Sequence, residues 1–316
     1  MSSSGAYSFN LNLQQILEGA LRLVGAVETG QPYYPQNLTD AQQALNIYIK
    51  ALQAEGIGLW CLADLTVFLD TVSESYLIGP TSSNFVTTDS VIQLSLAFSA
   101  AQGANSIMLG SITGLTAGAN IGIQLDNNTT QWTTISGTPT GSTVNLAAAL
   151  TYSASRNNNI FSYVNTAQRP LDIANEGRRR DVFGNDTPLT ILNREDYNQL
   201  SVKSNIGSTT QIYYSPTLNN GTLYIWPVAS VCTDRAVLTA RIPFQDFDNM
   251  PDNADFPVEW LRHLKWALAA EIGPEYEVNP NKQKQLETKA AETKALVAPH
   301  DMEVSYSFVP DMTVRR

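Results

Sequence analysis

The sequence predicts an α+β protein: a helical framework, made of an N-terminal αα-hairpin and C-terminal helices, with β-hairpins, an inserted small β-sandwich or β-barrel domain and an extended C-terminal arm. Apolar residues recur at three- and four-residue spacing near both ends of the chain, which is typical of amphipathic helices. The middle holds short β-branched and aromatic runs between Gly, Asn and Pro clusters, which is typical of strands and turns. With 43% hydrophobic residues among 316, the chain can form a core.

Two helices are predicted at the N-terminus, over residues 10–26 and 39–54. Residues 33–35 are expected to form part of the linker, and Gly25 and Gly56 are expected to end the two helices. The apolar residues of the first helix share one face: Leu13, Ile16, Leu17, Ala20, Leu21 and Val24. Because the linker is short and polar, the two helices are expected to form an antiparallel αα-hairpin.

Residues 66–70 and 74–79 are predicted to form a hairpin of two strands. Both runs contain β-branched and aromatic residues, and a turn at 71–73 separates them. Since strands that follow each other closely in sequence usually pair, these two are expected to lie side by side in one sheet.

Residues 85–164, called the insert below, differ sharply in composition from the rest of the chain. They contain three charged residues, Asp89, Asp126 and Arg156, among many Ser, Thr, Asn, Gly and Ala. Short strand-like runs alternate with turn signals, at 91–96, 106–109, 120–125, 131–135, 143–146 and 160–163. Regularly spaced short strands predict an inserted all-β domain, a small sandwich or barrel.

Beyond the insert, Asn193 is predicted to cap a helix, because acidic residues follow in the first turn. Residues 211–215 and 222–227 read as a second hairpin, which a strand at 236–242 is expected to join. Two helices are then predicted, at 256–271 and at 280–296, the second mostly facing solvent. The final residues, 301–316, are called the arm. The predicted domains are therefore 1–84, 85–164, 165–300 and 301–316.

The arm alternates apolar and polar residues without a helical period. An extended chain of this length would reach on the order of 50 Å. An apolar extended segment is typical of a strand that is added to a neighbouring protein. The expected contact residues are Val304, Tyr306, Phe308, Val309, Arg315 and Arg316.

The residue types that usually carry catalysis do not form a recognisable site in the sequence. Cys61 and Cys232 are far apart, fit no metal spacing and are expected to be buried thiols. His263 has helical spacing to apolar residues and is expected in the core. Glu259, Glu271, Glu275 and Glu277 favour a solvated helix surface over a glycosidase pair. With no nucleotide-binding, hydrolase or metalloprotease motif, neither an enzyme nor a cofactor or metal is expected.

A net charge of −10 and a pI of about 4.7 argue against a broad nucleic-acid-binding surface. Arg178, Arg179 and Arg180 form the only basic cluster in the sequence, either a partner-binding group or a solvated loop. No apolar run approaches the roughly 20 residues of a membrane span, and the start resembles no signal peptide. Synthesis in a cytoplasm without a membrane partner is therefore expected.

Several motifs occur in an order that resembles a known family. They lie at residues 20–26 (ALRLVGA), 41–52 with Glu55-Gly56, 74–80 (ESYLIGP), 189–197 (LTILNREDY), 213–216 (YYSP), 221–228 (GTLYIWPV) and 268–276 (LAAEIGPEY). Together these motifs resemble the head-to-tail adaptors of short-tailed bacteriophages, also called tail accessory factors or packaged-DNA stabilisation proteins. The likeness covers about two thirds of the chain, and the insert departs from the family's compact pattern.

The resemblance implies a structural virion protein that forms a ring, dodecameric in this family, beneath the portal protein. The ring would close the head after DNA packaging and attach the tail nozzle or hub and fibre proteins. Genomic DNA would pass through its channel without sequence-specific binding. The resemblance also implies that the arm contacts the portal or a neighbour, while Arg178, Arg179 and Arg180 contact DNA phosphates or acidic portal residues. The protein would then be made in the host bacterial cytoplasm and reside at the head-to-tail junction.

One alternative from another class stays open. The low-charge β insert is also typical of a carbohydrate-binding or adhesin-like virion protein that contacts the host surface. Glycan affinity in the insert would separate the two hypotheses, because an adaptor insert is expected to have none.

Overall fold

The computed structural model describes residues 9–26, 33–56, 59–82 and 85–301, and the chain contains both helices and antiparallel and parallel sheets. The predicted α+β class is therefore confirmed. The chain divides into two compact units: unit 1 consists of residues 1–60 and 244–316, and unit 2 of residues 61–243. The finer four-segment organisation stays a prediction.

The helices and strands of the described residues are numbered in chain order. The helices are α1 (Leu13–Val24), α2 (Pro35–Ala54), α3 (Arg194–Gln199), α4 (Leu261–Ile272) and α5 (Pro280–Val297). The strands are β1 (Leu62–Phe68), β2 (Ser75–Ile78), β3 (Val86–Thr87), β4 (Ile92–Ser95), β5 (Ser106–Met108), β6 (Asn120–Gln124), β7 (Thr130–Thr134), β8 (Thr143–Asn145), β9 (Asn159–Tyr163), β10 (Asp172–Arg180), β11 (Asp186–Pro188), β12 (Thr190–Leu192), β13 (Ile206–Gly207), β14 (Gln211–Pro216), β15 (Gly221–Trp226), β16 (Val228–Ala229) and β17 (Arg235–Arg241). Short 3₁₀ helices span Leu59–Cys61, Val258–Trp260, Gly273–Tyr276 and Ala298–Asp301.

Helix α1 begins where a capping box satisfies its free backbone N–H groups. The Asn12 side chain accepts a hydrogen bond from the Gln15 backbone N–H at 3.0 Å, and the Gln15 side chain accepts one from Asn12 at 3.2 Å. Gly25 ends the helix with φ of 86°, a left-handed conformation that glycine adopts without strain. The predicted helix is confirmed, with its first residue, Leu13, three positions later than Asn10.

Helix α2 begins at Pro35, four residues before the predicted start, so the expected linker at 33–35 is wrong at its last residue. The reason is that proline's φ is already helical and its missing N–H is not needed in the first turn. Helix α4 follows a 3₁₀ turn that begins after Pro257, which confirms the predicted helix there. Helix α5 buries Leu286 and Thr293 alone among its residues, as expected of a solvent-facing helix.

Unit 2 is built on two sheets that share one apolar core. The first sheet has the order β11-β10-β17-β1-β3 and the second the order β12-β14-β15-β2. Strands of both sheets contribute to the shared core, including Leu65, Val67, Ile78, Ile212, Leu223, Ile225, Ala236 and Leu238.

Two predicted strand pairings are wrong. Strand β1 pairs with β17 along seven residues and also with β3, whereas β2 pairs with β15 in the second sheet. Strand β17 pairs with β1 and β10 and does not join the β14–β15 hairpin. Apolar residues of β1 and β17 lie in the same core. Strand β17 pairs with all seven residues of β1, whereas β2 has four residues. The β14–β15 hairpin itself is confirmed.

Each of the six strands predicted in the insert overlaps an observed strand, from β4 to β9. They form a four-stranded sheet, β4-β9-β6-β7, and a two-stranded sheet, β5-β8. The insert has a hydrophobic core of its own, to which both sheets contribute, including Ile107, Ile121, Ile123, Val144 and Ile160. Its low charge therefore accompanies a well-packed all-β segment.

An aromatic cluster fastens the insert to the first sheet. The Phe68 ring of β1 lies 4.7 Å from the Trp132 ring and stacks on Tyr163 at 5.7 Å, measured between ring centroids. The two ends of the insert are joined beside it: the Thr87 hydroxyl donates to the Asn165 carbonyl at 2.7 Å. This junction brings the start of the insert close to the face of the first sheet that carries Arg178, Arg180 and Arg235.

Candidate functional site

The three arginines of the basic cluster lie on strand β10, so the alternative of a loop is wrong. In the pairing with β17, Arg178 lies opposite Val237 and Arg180 opposite Arg235. Side chains of directly paired residues point to the same face of a sheet. Arg178, Arg180 and Arg235 therefore share one face, and Arg179, which alternates with its neighbours, lies on the other.

Arg178, Arg179 and Arg180 each have a carboxylate of the same chain within ion-pair distance. Arg180 donates two parallel hydrogen bonds to Asp186, at 2.8 and 2.7 Å. In the guanidinium of Arg178, Nη2 lies 2.7 Å from Oδ2 of Asp64 and Nε lies 3.5 Å from Oδ2 of Asp186. On the opposite face, Arg179 lies 3.7 Å from Asp234. The cluster is therefore largely neutralised from within unit 2.

Arg235 is a fourth arginine at this site, and sequence reasoning missed it. Its side chain is 8% exposed, lies over the Phe161 ring at 5.0 Å and donates to the Gln93 side-chain oxygen at 3.0 Å. Among the described residues, no carboxylate lies within ion-pair distance of Arg235, and its Nε has no hydrogen-bond partner. The only signal in the sequence was a charged residue directly before the apolar run at 236–238.

A cleft of about 260 Å³ lies on this charged face, between the first sheet and the start of the insert. It is called the arginine cleft below. Its lining residues are Asp64, Thr66, Thr88, Asp89, Ser90, Val91, Arg178, Arg180, Arg235 and Val237. Residues with guanidinium, hydroxyl and carboxylate side chains therefore line the same small volume.

The electrostatics of the cleft follow from these contacts. Hydrogen bonds from Arg180, and the charges of Arg180, Arg178 and Arg235, hold the pKa of Asp186 below its ordinary value. Burial lowers the pKa of Arg235, the like charge of Arg180 lowers it further, and Asp186 partly offsets both. The buried guanidinium is thus the group in the cleft whose charge is least compensated.

The remaining predicted residues lie elsewhere. The expected contact residues of the arm, Val304, Tyr306, Phe308, Val309, Arg315 and Arg316, fall outside the described residues. His263 is buried, as predicted, between Tyr48 and Thr293. Cys61 and Cys232 are both buried, also as predicted. The four glutamates considered for catalysis are exposed at the surface, namely Glu259, Glu271, Glu275 and Glu277.

Among the described residues, no group of three or more His, Cys, Asp and Glu side chains is arranged to hold a metal ion. No helix in that part of the chain is long and apolar enough to cross a membrane. No protein-family model matches the sequence, and no curated protein matches it. The family resemblance therefore depends on the ordered motifs themselves.

Proposed function

We propose that this protein is a structural virion protein of a short-tailed bacteriophage. It forms a ring, dodecameric as in the family it resembles, that binds beneath the portal, closes the head after DNA packaging and attaches tail components. The ordered set of family motifs carries this proposal. Those motifs fall on α1, α2 and α4 of unit 1 and on β2, α3, β14 and β15 of unit 2, so the likeness is not confined to one element.

The described surface supports an assembled state. Charged residues make up 15% of the chain, and large apolar side chains are exposed in both units. Tyr34 and Ile47 are examples in unit 1, and Phe183 and Leu218, at 87% and 92% exposed, are examples in unit 2. Neighbouring subunits and tail proteins in a ring would cover such residues.

The arginine cluster supports passage of DNA rather than its retention by tight binding. Affinity for DNA comes mainly from Lys and Arg that neutralise phosphates. Because Arg178, Arg179 and Arg180 already have carboxylate partners in their own chain, they would attract a DNA backbone less strongly than unpaired arginines. A channel lined by such residues would let DNA slide.

The test is to mix the purified protein with the portal protein of the same phage and image the mixture by negative-stain electron microscopy. A ring of extra density below the portal, absent from portal alone, is expected. A variant that ends at Pro299 is expected to keep its melting temperature but to lose portal binding in co-sedimentation. Alanine at Arg315 and Arg316 alone is the milder comparison. Portal particles without extra density, or normal binding by the variant that ends at Pro299, would contradict the proposal.

One observation favours a second candidate, a glycan-binding role for the insert. Phe98 and Tyr152 are aromatic residues of the insert with 61% and 47% of their surface exposed. Aromatic rings at a protein surface present the flat apolar faces on which sugar rings stack. A glycan array with the full chain and with the Phe98→Ala, Tyr152→Ala double variant tests this role. Binding that disappears in the double variant would favour it, and no binding by the parent would reject it.

A further inference from the structure

The arginine cleft contains a buried cation, Arg235, that has no carboxylate within ion-pair distance among the described residues. Arg178 and Arg180, which line the cleft with Arg235, have Asp64 and Asp186 as partners. Arg235 is more deeply buried than either, and the contacts described for its guanidinium are with an amide oxygen and an aromatic ring. A buried charge is normally paired, because removing it from water is costly otherwise.

Asp89 is the one other carboxylate in the lining of the cleft, and its hydrogen bonds turn it towards the end of the insert. Its Oδ2 accepts from the backbone N–H groups of Val164 and Asn165, at 3.2 and 2.6 Å. No described cation lies within ion-pair distance of Asp89. Its charge is thus compensated by backbone dipoles, and the charge of Arg235 remains.

We propose that the arginine cleft is a binding site for a single phosphate-type oxyanion. The arginines that line the cleft come from β10 and β17, and the hydroxyl-bearing residues that line it are Thr66 on β1 and Thr88 and Ser90 at the start of the insert. Donors that approach from several directions suit a tetrahedral anion better than a planar carboxylate. The volume of about 260 Å³ also leaves room for ordered water or for a small group on the phosphate.

The test is isothermal titration calorimetry of the full chain with inorganic phosphate at low ionic strength, with sodium acetate and a short DNA duplex as parallel titrants. Phosphate is expected to bind in one-to-one stoichiometry and acetate at least about fivefold more weakly, because acetate has one charge and fewer acceptor oxygens. An experimental structure with phosphate should place the anion against Arg235.

Three matched variants make the test specific. Arg180→Gln removes a half-exposed donor of the cleft and is expected to weaken phosphate binding about fivefold or more. Asp64→Asn removes a carboxylate that competes for Arg178 and is expected to tighten binding about threefold. Arg179→Gln removes the same charge from the same strand on the other face and is expected to leave affinity unchanged.

Absence of phosphate binding in the parent chain would overturn the proposal, as would equal losses in Arg179→Gln and Arg180→Gln, which would indicate general charge attraction. Binding of duplex DNA without binding of phosphate would also reject it, because the site would then recognise a polymer surface. Arg180 is chosen because replacing the buried Arg235 risks the fold. Circular dichroism of each variant verifies that the comparison is made on folded protein.

Discussion

Mild acid is expected to destabilise this protein through His263. The imidazole is 1% exposed, and both ring nitrogens are hydrogen-bonded. Nε2 lies 2.7 Å from the Tyr48 hydroxyl and Nδ1 lies 3.2 Å from the Thr293 hydroxyl, which itself donates to the Lys289 carbonyl. The Thr293 hydroxyl donates its hydrogen to the Lys289 carbonyl, so it can only accept from Nδ1–H of His263. Nε2 then carries no hydrogen and accepts from the Tyr48 hydroxyl. The neutral ring therefore satisfies every partner.

Burial, and to a smaller extent the nearby charge of Lys294, lower the pKa of His263 to about 4, against weaker opposite effects from Ala290 and Glu55. An unfolded histidine titrates near pH 6.5, so between about pH 6.5 and pH 4 the unfolded chain binds a proton that the folded chain does not. Stability from the neutral ring is thus complete above about pH 6.5 and is lost as the pH falls. Between about pH 7.5 and pH 5 the loss is about 2 kcal/mol.

Urea unfolding followed by tryptophan fluorescence at these two pH values measures the loss, with His263→Gln as control. Glutamine offers a donor and an acceptor but does not titrate. The free energy of unfolding of the variant is therefore expected to fall by about 2 kcal/mol less than that of the parent between the two pH values. A parent and variant that lose the same free energy on acidification would refute the reasoning. So would a His263 signal that titrates near pH 6.5 by NMR in the folded protein.

Three further substitutions test the packing, each by urea unfolding. Gly122→Ala would place a methyl group 2.7 Å from the Trp132 ring and is expected to cost about 1–3 kcal/mol, whereas Gly110→Ala, with open space at the same position, should cost little. Phe68→Ala should cost about 3–5 kcal/mol and make the insert more sensitive to limited proteolysis; unchanged sensitivity would argue against its fastening role. Asn12→Ala should lower the free energy of unfolding by about 1 kcal/mol, because it removes the capping box. Asn12→Ser should lose much less, because serine also caps helices well.

The elements with strong local signals could be predicted from the sequence. The capping side chain of Asn193, which accepts from the Asp196 backbone N–H at 2.9 Å, sits directly before helix α3. The strands of the insert were predictable because turn residues separate them at short intervals. In both cases the deciding interactions lie within a few residues of one another.

The pairing of β1 and the composition of the arginine cleft could not be predicted in this way. Asp70 shows why the pairing of β1 is hard to predict. Its side chain accepts from the Val72 backbone N–H at 2.9 Å and closes a turn whose sequence resembles a hairpin turn. The strand after that turn nevertheless joins another sheet. In the cleft, Asp64 and Arg235 lie close to Arg178. Each of these two residues is more than 50 positions from Arg178 in the sequence. Only the sheet register brings them together.

The two ends of the insert lie side by side, and this affects where the lengths of related genes can differ. The Val86 carbonyl accepts from the Ala167 backbone N–H at 3.1 Å, so the chain leaves the first sheet and returns to it at adjacent points. One genetic deletion between these points would preserve the surrounding strand order and would uncover Phe68 and Arg235, which pack against residues of the insert. Related genes are therefore expected to differ in length at this position, while the strands on either side keep their register.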